Sequence, residues 1–195
     1  MILSNVEIHA ALDARRLIIN PEPTPRTPTL SVPECPYGTT SVDLRLGQRI
    51  SIPPRGGPFT YDLRKGGIAR FLAEASKHIE LDPRGGYALQ PNDFVLGQTF
   101  EYLELPIIGD KPALAARIEG KSSFARCGLL VHFTAPTVHA GFKGTLTLEM
   151  KNLGNSPITL YPEMPICQLI VEVVAGTPVE NPGQFQGQTT PPGAR

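Results

Sequence analysis

Proline and glycine limit every regular element this chain can build. Its 195 residues include 21 Pro and 19 Gly. Beyond the N-terminal segment these cut the apolar sequence into short runs at 42–46, 87–89, 94–96, 128–133, 146–150 and 166–173. Proline removes a backbone donor and glycine weakens an element's interior, so runs of this length read as strands joined by tight turns, the pattern of a β-barrel or sandwich. Two helices are expected beside them. Ser4-Asn5-Val6-Glu7 fits a capping box, with Val6, Ile8, Ala11 and Leu12 following at helical spacing. A second helix fits IARFLAEASK at 68–77, after Gly66-Gly67. The length suits one domain spanning 1–195, with no composition break to argue for two. The tail NPGQFQGQTTPPGAR, 181–195, cannot bury a core of its own. It is either disordered or a flap that orders over a ligand or a neighbouring chain.

Charge and cysteine usage narrow the function classes. The 18 Lys and Arg are balanced by 18 Asp and Glu, so no global positive field draws in nucleic acid and an anionic ligand must be held by local donors. No stretch reaches the roughly 20 apolar residues of a membrane span, and the first residues carry acids where a signal peptide has an apolar core; a cytoplasmic protein is expected. Cys35, Cys127 and Cys167 show no CxxC spacing, and His9, His78, His132 and His139 form no HxxxH pair, so neither a zinc site nor another protein-held metal is expected. The usual phosphate-loop, dinucleotide and serine-hydrolase motifs are missing, as is the HxE with PCxxC pattern of zinc deaminases.

Two stretches carry candidate chemistry. GKSSFARCG, 120–128, gathers Lys121, Ser122, Ser123 and Arg126 on one turn; hydroxyls and cations packed this way can hold phosphate oxygens without a basic protein, and they also suit an ordinary polar turn. In GFKGTLTLEMKN, 141–152, Leu146, Leu148 and Met150 alternate with Thr145, Thr147, Glu149 and Lys151. Glu is a poor strand former. Glu149 is therefore either a carboxylate on a solvated sheet face or one with a partner or a task.

Taken together, the segments resemble the dCTP deaminase family, the deaminating branch of the trimeric dUTPase fold. The resemblance spans nearly the whole chain. It rests on RRLIINPEP after the first helix, SVDLRLG at 41–47 as first barrel strand, FVLGQTFEYLELP at 94–106 as a central strand pair, and above all on EGKSSFARCGLLVHFTA, GFKGTLTLEMKN and YPEMPICQLI. It implies a mainly β, distorted, jelly-roll-like barrel with an N-terminal helix and one or two further short helices. It also implies hydrolytic deamination of dCTP to dUTP and ammonia in pyrimidine deoxynucleotide metabolism. By matching motif positions, Glu149 would be the acid/base, Ser122 and Arg126 would position it and the water, and the Ala135 carbonyl would border the cytosine. The loop Lys121, Ser122, Ser123, Phe124, Ala125 and Arg126 would bind the nucleotide, with Lys121 and Ser123 nearest the phosphates. Thr147 and Leu148 would read the base through backbone groups, whose fixed donors and acceptors can separate cytosine from uracil. The tail would close the site, with Phe185 near the nucleotide and Gln188 touching it. Mg²⁺ would arrive with the triphosphate, dTTP is a possible inhibitor, and active sites would lie between subunits of a homotrimer.

Two departures from the family pattern stand out. His139 replaces an Asp found in many relatives in the turn before the Glu-bearing strand, and Gln184 replaces a tail lysine found in some. In the dUTPase branch that Asp orients the attacking water and touches the sugar. A neutral imidazole can also donate to a sugar hydroxyl, so His139 is either a sugar contact or a surface turn residue. Two alternatives accompany the leading reading: a bifunctional enzyme releasing dUMP and pyrophosphate, which should want a carboxylate at 139, and a non-catalytic nucleotide-binding member of the fold.

Overall fold

The computed structural model describes residues 1–30, 34–56, 60–109, 111–181, 183 and 185–193. Helix α1 (Asn5–Asp13) opens the chain. Ser4 caps it by accepting from the Glu7 amide at 3.3 Å, and Ile8, Ala11 and Leu12 bury its inner side. The strands among the described residues are β1 (Ile18–Asn20), β2 (Val42–Arg45), β3 (Arg49–Ile52), β4 (Lys77–Glu80), β5 (Tyr87–Leu89), β6 (Phe94–Glu104), β7 (Leu114–Gly120), β8 (Leu129–Val131), β9 (Thr137–Val138), β10 (Lys143–Asn152), β11 (Ile158–Leu160) and β12 (Pro165–Val173). Helix α2 (Ile68–Ala75) lies between β3 and β4, and the four-residue α3 (Ser122–Ala125) between β7 and β8.

One sheet runs β4-β3-β6-β10-β8 with β1 added on β6, a second runs β2-β12-β7-β9, and β5 pairs with β11. The pairings are antiparallel. Alternation builds the core: Leu146, Leu148 and Met150 of β10 are buried while Thr147, Glu149 and Lys151 face the other way. Leu44, Ile118, Leu169 and Val171 of the second sheet join them in one apolar cluster. Each such burial contributes roughly 1.5–3 kcal/mol.

Three sequence boundaries are corrected. The second helix stops at Ala75 and Lys77 already belongs to β4, because Ser76 turns to extended backbone. Residues 94–104 form one 11-residue strand and not a strand pair. The run at 128–133 ends at Val131, because His132 takes a left-handed φ of 62° that breaks the strand. The described part of the tail is docked. Gly187 donates to the Lys143 carbonyl at 2.8 Å, and the Thr145 amide donates to the Gln188 carbonyl at 3.0 Å. Gly144, at φ +144°, makes this approach possible, since a Cβ there would stand 3.0 Å from the Gln188 oxygen.

Candidate active site at the open edge of strand β10

β6 covers one edge of β10, but the neighbours on the other edge change along its length. Met150 to Asn152 pair with β8, and the Glu149 carbonyl accepts from the His132 amide at 2.8 Å. At the opposite end Lys143 and Thr145 pair with the tail. Strand residues present their backbone groups to alternate edges, so Thr147 turns its N–H and C=O to this same edge. The Thr145-to-Glu149 interval is about 13 Å at about 3.3 Å per residue. It is bordered by His132 on one side and Gln188 on the other.

Glu149 does not face open solvent. Its Oε2 lies 2.7 Å from Nδ1 of His132, and the two side chains are 31% and 11% exposed. Neither atom has another hydrogen-bond partner among the described residues, so the pair depends on the attraction between the two side chains. The other imidazole nitrogen, Nε2, stands 2.7 Å from the Ala135 carbonyl. A carbonyl only accepts, so Nε2 must carry a proton, and the ion pair places a second on Nδ1. Burial works against the charged form of His132, but Glu149 outweighs it and pushes the imidazole above its ordinary value, helped by the Ala135 and Thr147 carbonyls. Burial likewise works against the Glu149 carboxylate, but His132 outweighs it and holds the carboxyl below its ordinary value.

The loop after β7 forms a second cluster. Lys121 and Arg126 flank α3 at its two ends. Ser122, Ser123, Ala125 and Arg126 are exposed, while Phe124 packs against the core. The Lys121 ammonium is ion-paired with Asp43 on β2. Gln168 of β12 donates to the other Asp43 oxygen at 3.2 Å and to the Ser41 hydroxyl at 3.3 Å. Lys121 is thus held from beneath, with further donor capacity on its ammonium.

One chain therefore brings Glu149, Ala135 and Thr147 together around His132, while Ser122 and Arg126 make no hydrogen bond or ion pair with Glu149 among the described residues. Leu148 is buried and faces the core. His139 is exposed on the turn before β10, its carbonyl accepting from Phe142 at 3.1 Å. Phe185 is 42% exposed and lies beside Gly193. Gln188 is buried, and its amide donates to the Thr145 carbonyl at 2.7 Å. Gln184 lies outside the described residues. Sequence reasoning missed His132 as a partner of Glu149, because the two meet only through β8–β10 pairing; the signal present was its place in VHFTA, inside the most specific motif. Among the described residues no group of three or more His, Cys, Asp or Glu is placed to hold a metal, and no helix is long and apolar enough to cross a membrane.

The family model of dCTP deaminase-like proteins matches residues 2–174. Over the full length of the chain, 37% of residues are identical to a protein of Coprothermobacter proteolyticus described as a dUMP-forming dCTP deaminase, of which the alignment covers 96%. A protein of Natronomonas pharaonis described as a dCTP deaminase is 33% identical over the full chain and 94% of its own length. Among solved structures, the 2'-deoxycytidine 5'-triphosphate deaminase of Agrobacterium tumefaciens superposes with a TM-score of 0.60 at 21% identity. That match covers 89% of this chain and 48% of the other, so this chain spans about half that protein's length.

Proposed function

The chain belongs to the dCTP deaminase-like family, and we propose on that footing that it deaminates dCTP hydrolytically to dUTP and ammonia with Glu149 as the acid/base. The observation that carries this reading is the Glu149–His132 pair set beside Thr147, whose N–H has no backbone partner at this edge among the described residues. The Thr147 N–H offers a donor that suits N3 of cytosine, and the Thr147 carbonyl, already engaged by the His132 ring, has a second lone pair for the amino group. A base seated there lies within reach of the Glu149 carboxyl.

The carboxylate takes a proton from water, and the hydroxide adds to C4 of the base. The carboxyl gives that proton to N3, then takes the proton of the new C4 hydroxyl and passes it to the amine; the C4–N bond breaks as the C4=O bond forms, and ammonia leaves. General acid/base catalysis of this kind contributes typically 10²–10⁴-fold. His132 keeps Glu149 ionised and fixed in orientation before the water arrives, so that little reorganisation is needed. Ser122 and Arg126 contact the substrate from a neighbouring subunit of a homotrimer, in keeping with their making no hydrogen bond or ion pair with Glu149 among the described residues of one chain. Lys121, Ser123 and the α3 backbone take the triphosphate. Mg²⁺ belongs to the substrate, bound by phosphate oxygens and water.

A second reading, release of dUMP and pyrophosphate, is favoured by the description of the Coprothermobacter relative as dUMP-forming. Attack on phosphorus needs a water relieved of its proton, and an imidazole beside a triphosphate is drawn toward its charged form, which makes it a poor base. His139 therefore points to dUTP as product. Incubation with dCTP and Mg²⁺, with ammonia followed and dUTP separated from dUMP, tests both. Ammonia with dUTP is expected. Pyrophosphate and dUMP released at the rate of ammonia, from protein free of contaminating dUTPase, would establish the second reading.

A further inference from the structure

The turn that carries His139 is held from two directions. From within, Gly141 donates to the Leu105 carbonyl at 2.7 Å, and Leu105 donates back to the Phe142 carbonyl at 2.9 Å. From outside, the tail supplies Gln186. Its side-chain amide donates to the Gly141 carbonyl at 2.6 Å, and its side-chain oxygen accepts from the Lys143 amide at 3.2 Å. One carboxamide thus satisfies an acceptor and a donor two residues apart, as a paired strand's backbone would. Gly187 follows with a backbone bond to Lys143, and Gln188 with backbone and side-chain bonds to Thr145. The tail is therefore spliced to β10 from residue 141 to residue 145, and its first contact is on the turn.

We infer that Gln186 is a positioning residue for sugar recognition: by bridging Gly141 and Lys143 it fixes the turn from which His139 reaches the deoxyribose 3'-hydroxyl. The inference rests on the reading of this edge as the nucleotide site. His139 is exposed and its side chain makes no hydrogen bond or ion pair among the described residues, so the direction of its imidazole depends on the backbone beneath it. That backbone includes Gly141 at φ +84°, a position that needs outside bonds to hold one conformation. Gln186 itself has both ends of its amide committed to the turn, so it acts through His139 and not by touching the substrate.

The test compares kcat/KM for dCTP with that for 2',3'-dideoxy-CTP, which lacks the 3'-hydroxyl, in wild type, His139→Ala, Gln186→Ala and the double variant. Loss of one hydrogen bond to a neutral group is worth a preference of roughly 2–10-fold. His139→Ala should lose that preference, Gln186→Ala should lose most of it, and the double variant should lose no more than His139→Ala alone, as expected for residues acting through one contact. Gln186→Glu, which can still accept from Lys143 but cannot donate to Gly141, should fall between Gln186→Ala and wild type. If His139→Ala leaves the preference intact, His139 does not read the sugar and the inference falls with that reading. If His139→Ala abolishes the preference but Gln186→Ala retains it, the nucleotide site stands and the role of Gln186 is refuted. Additive losses in the double variant would also overturn it.

Discussion

At the scale of single residues, the proposed function turns on how His132 sets the proton affinity of Glu149. With His132 removed, the Glu149 carboxyl loses its largest opposition to burial, leaving its own amide and that of Phe133, and its pKa rises. The acidic limb of kcat/KM for His132→Gln should therefore move to higher pH than in wild type, with kcat reduced as the carboxylate loses its fixed orientation. A pH–rate profile of the two proteins checks this; an unmoved acidic limb would show that the pair does not govern the base. The same pair contributes to stability within a window. His132 is raised in the folded state, so its contribution is complete below its ordinary value of 6.5 and is lost as pH rises through the folded value. Glu149 is lowered, so its contribution is complete above its ordinary 4.5 and is lost as pH falls. The difference in Tm between wild type and His132→Gln should be largest between these two values and shrink on both sides.

At the scale of elements, the short strands were legible because each alternating run between Gly and Pro could satisfy only one face. The Ser4 N-cap was legible because its chemistry is local. Strands β3 and β4, like β1, β7, β9 and β11, fell outside those runs: Arg49–Ile52 alternates over only four residues, Lys77–Glu80 has Ile79 as its one apolar residue, and the two are stabilised by pairing with each other across 24 intervening residues. The meeting of His132 with Glu149 was hidden for the same reason. The tail shows the limit of composition. Pro- and Gly-rich, it gave no sign that Gln188, Pro191, Pro192 and Gly193 would be buried, because Gln188 is held by the Thr145 backbone, Pro191 and Pro192 lie near Arg49, Ala73 and His78, and Gly193 lies against Phe185 and Gln188, none of them a patterned apolar face. Gly144→Ala, which puts a methyl 3.0 Å from the Gln188 carbonyl at a left-handed φ, should loosen the tail and raise KM for dCTP several-fold. It should also cost roughly 1–3 kcal/mol in denaturant unfolding. Deleting residues from 183 onward should raise KM at least as much while leaving the barrel folded by circular dichroism.

At the scale of the whole molecule, the proposal that Ser122 and Arg126 act on substrate from a neighbouring subunit can be tested by mixing chains. If facing subunits complete the site, inactive Glu149→Gln and inactive Ser122→Ala proteins, mixed under subunit exchange, should regain a fraction of wild-type activity through mixed trimers that hold one intact site. No recovery after verified exchange would place the whole site in one chain. The most direct measurement of all is ammonia release from Mg²⁺·dCTP by wild type and by Glu149→Gln, paired with dCTP binding to each. Glu149→Gln keeps the side chain's shape but cannot carry the proton, so deamination should fall by at least about 10²-fold, with dCTP affinity within a few-fold of wild type. Deamination at the wild-type rate by Glu149→Gln would contradict the assignment of this carboxylate, and with it the reading of the β10 edge as the catalytic site.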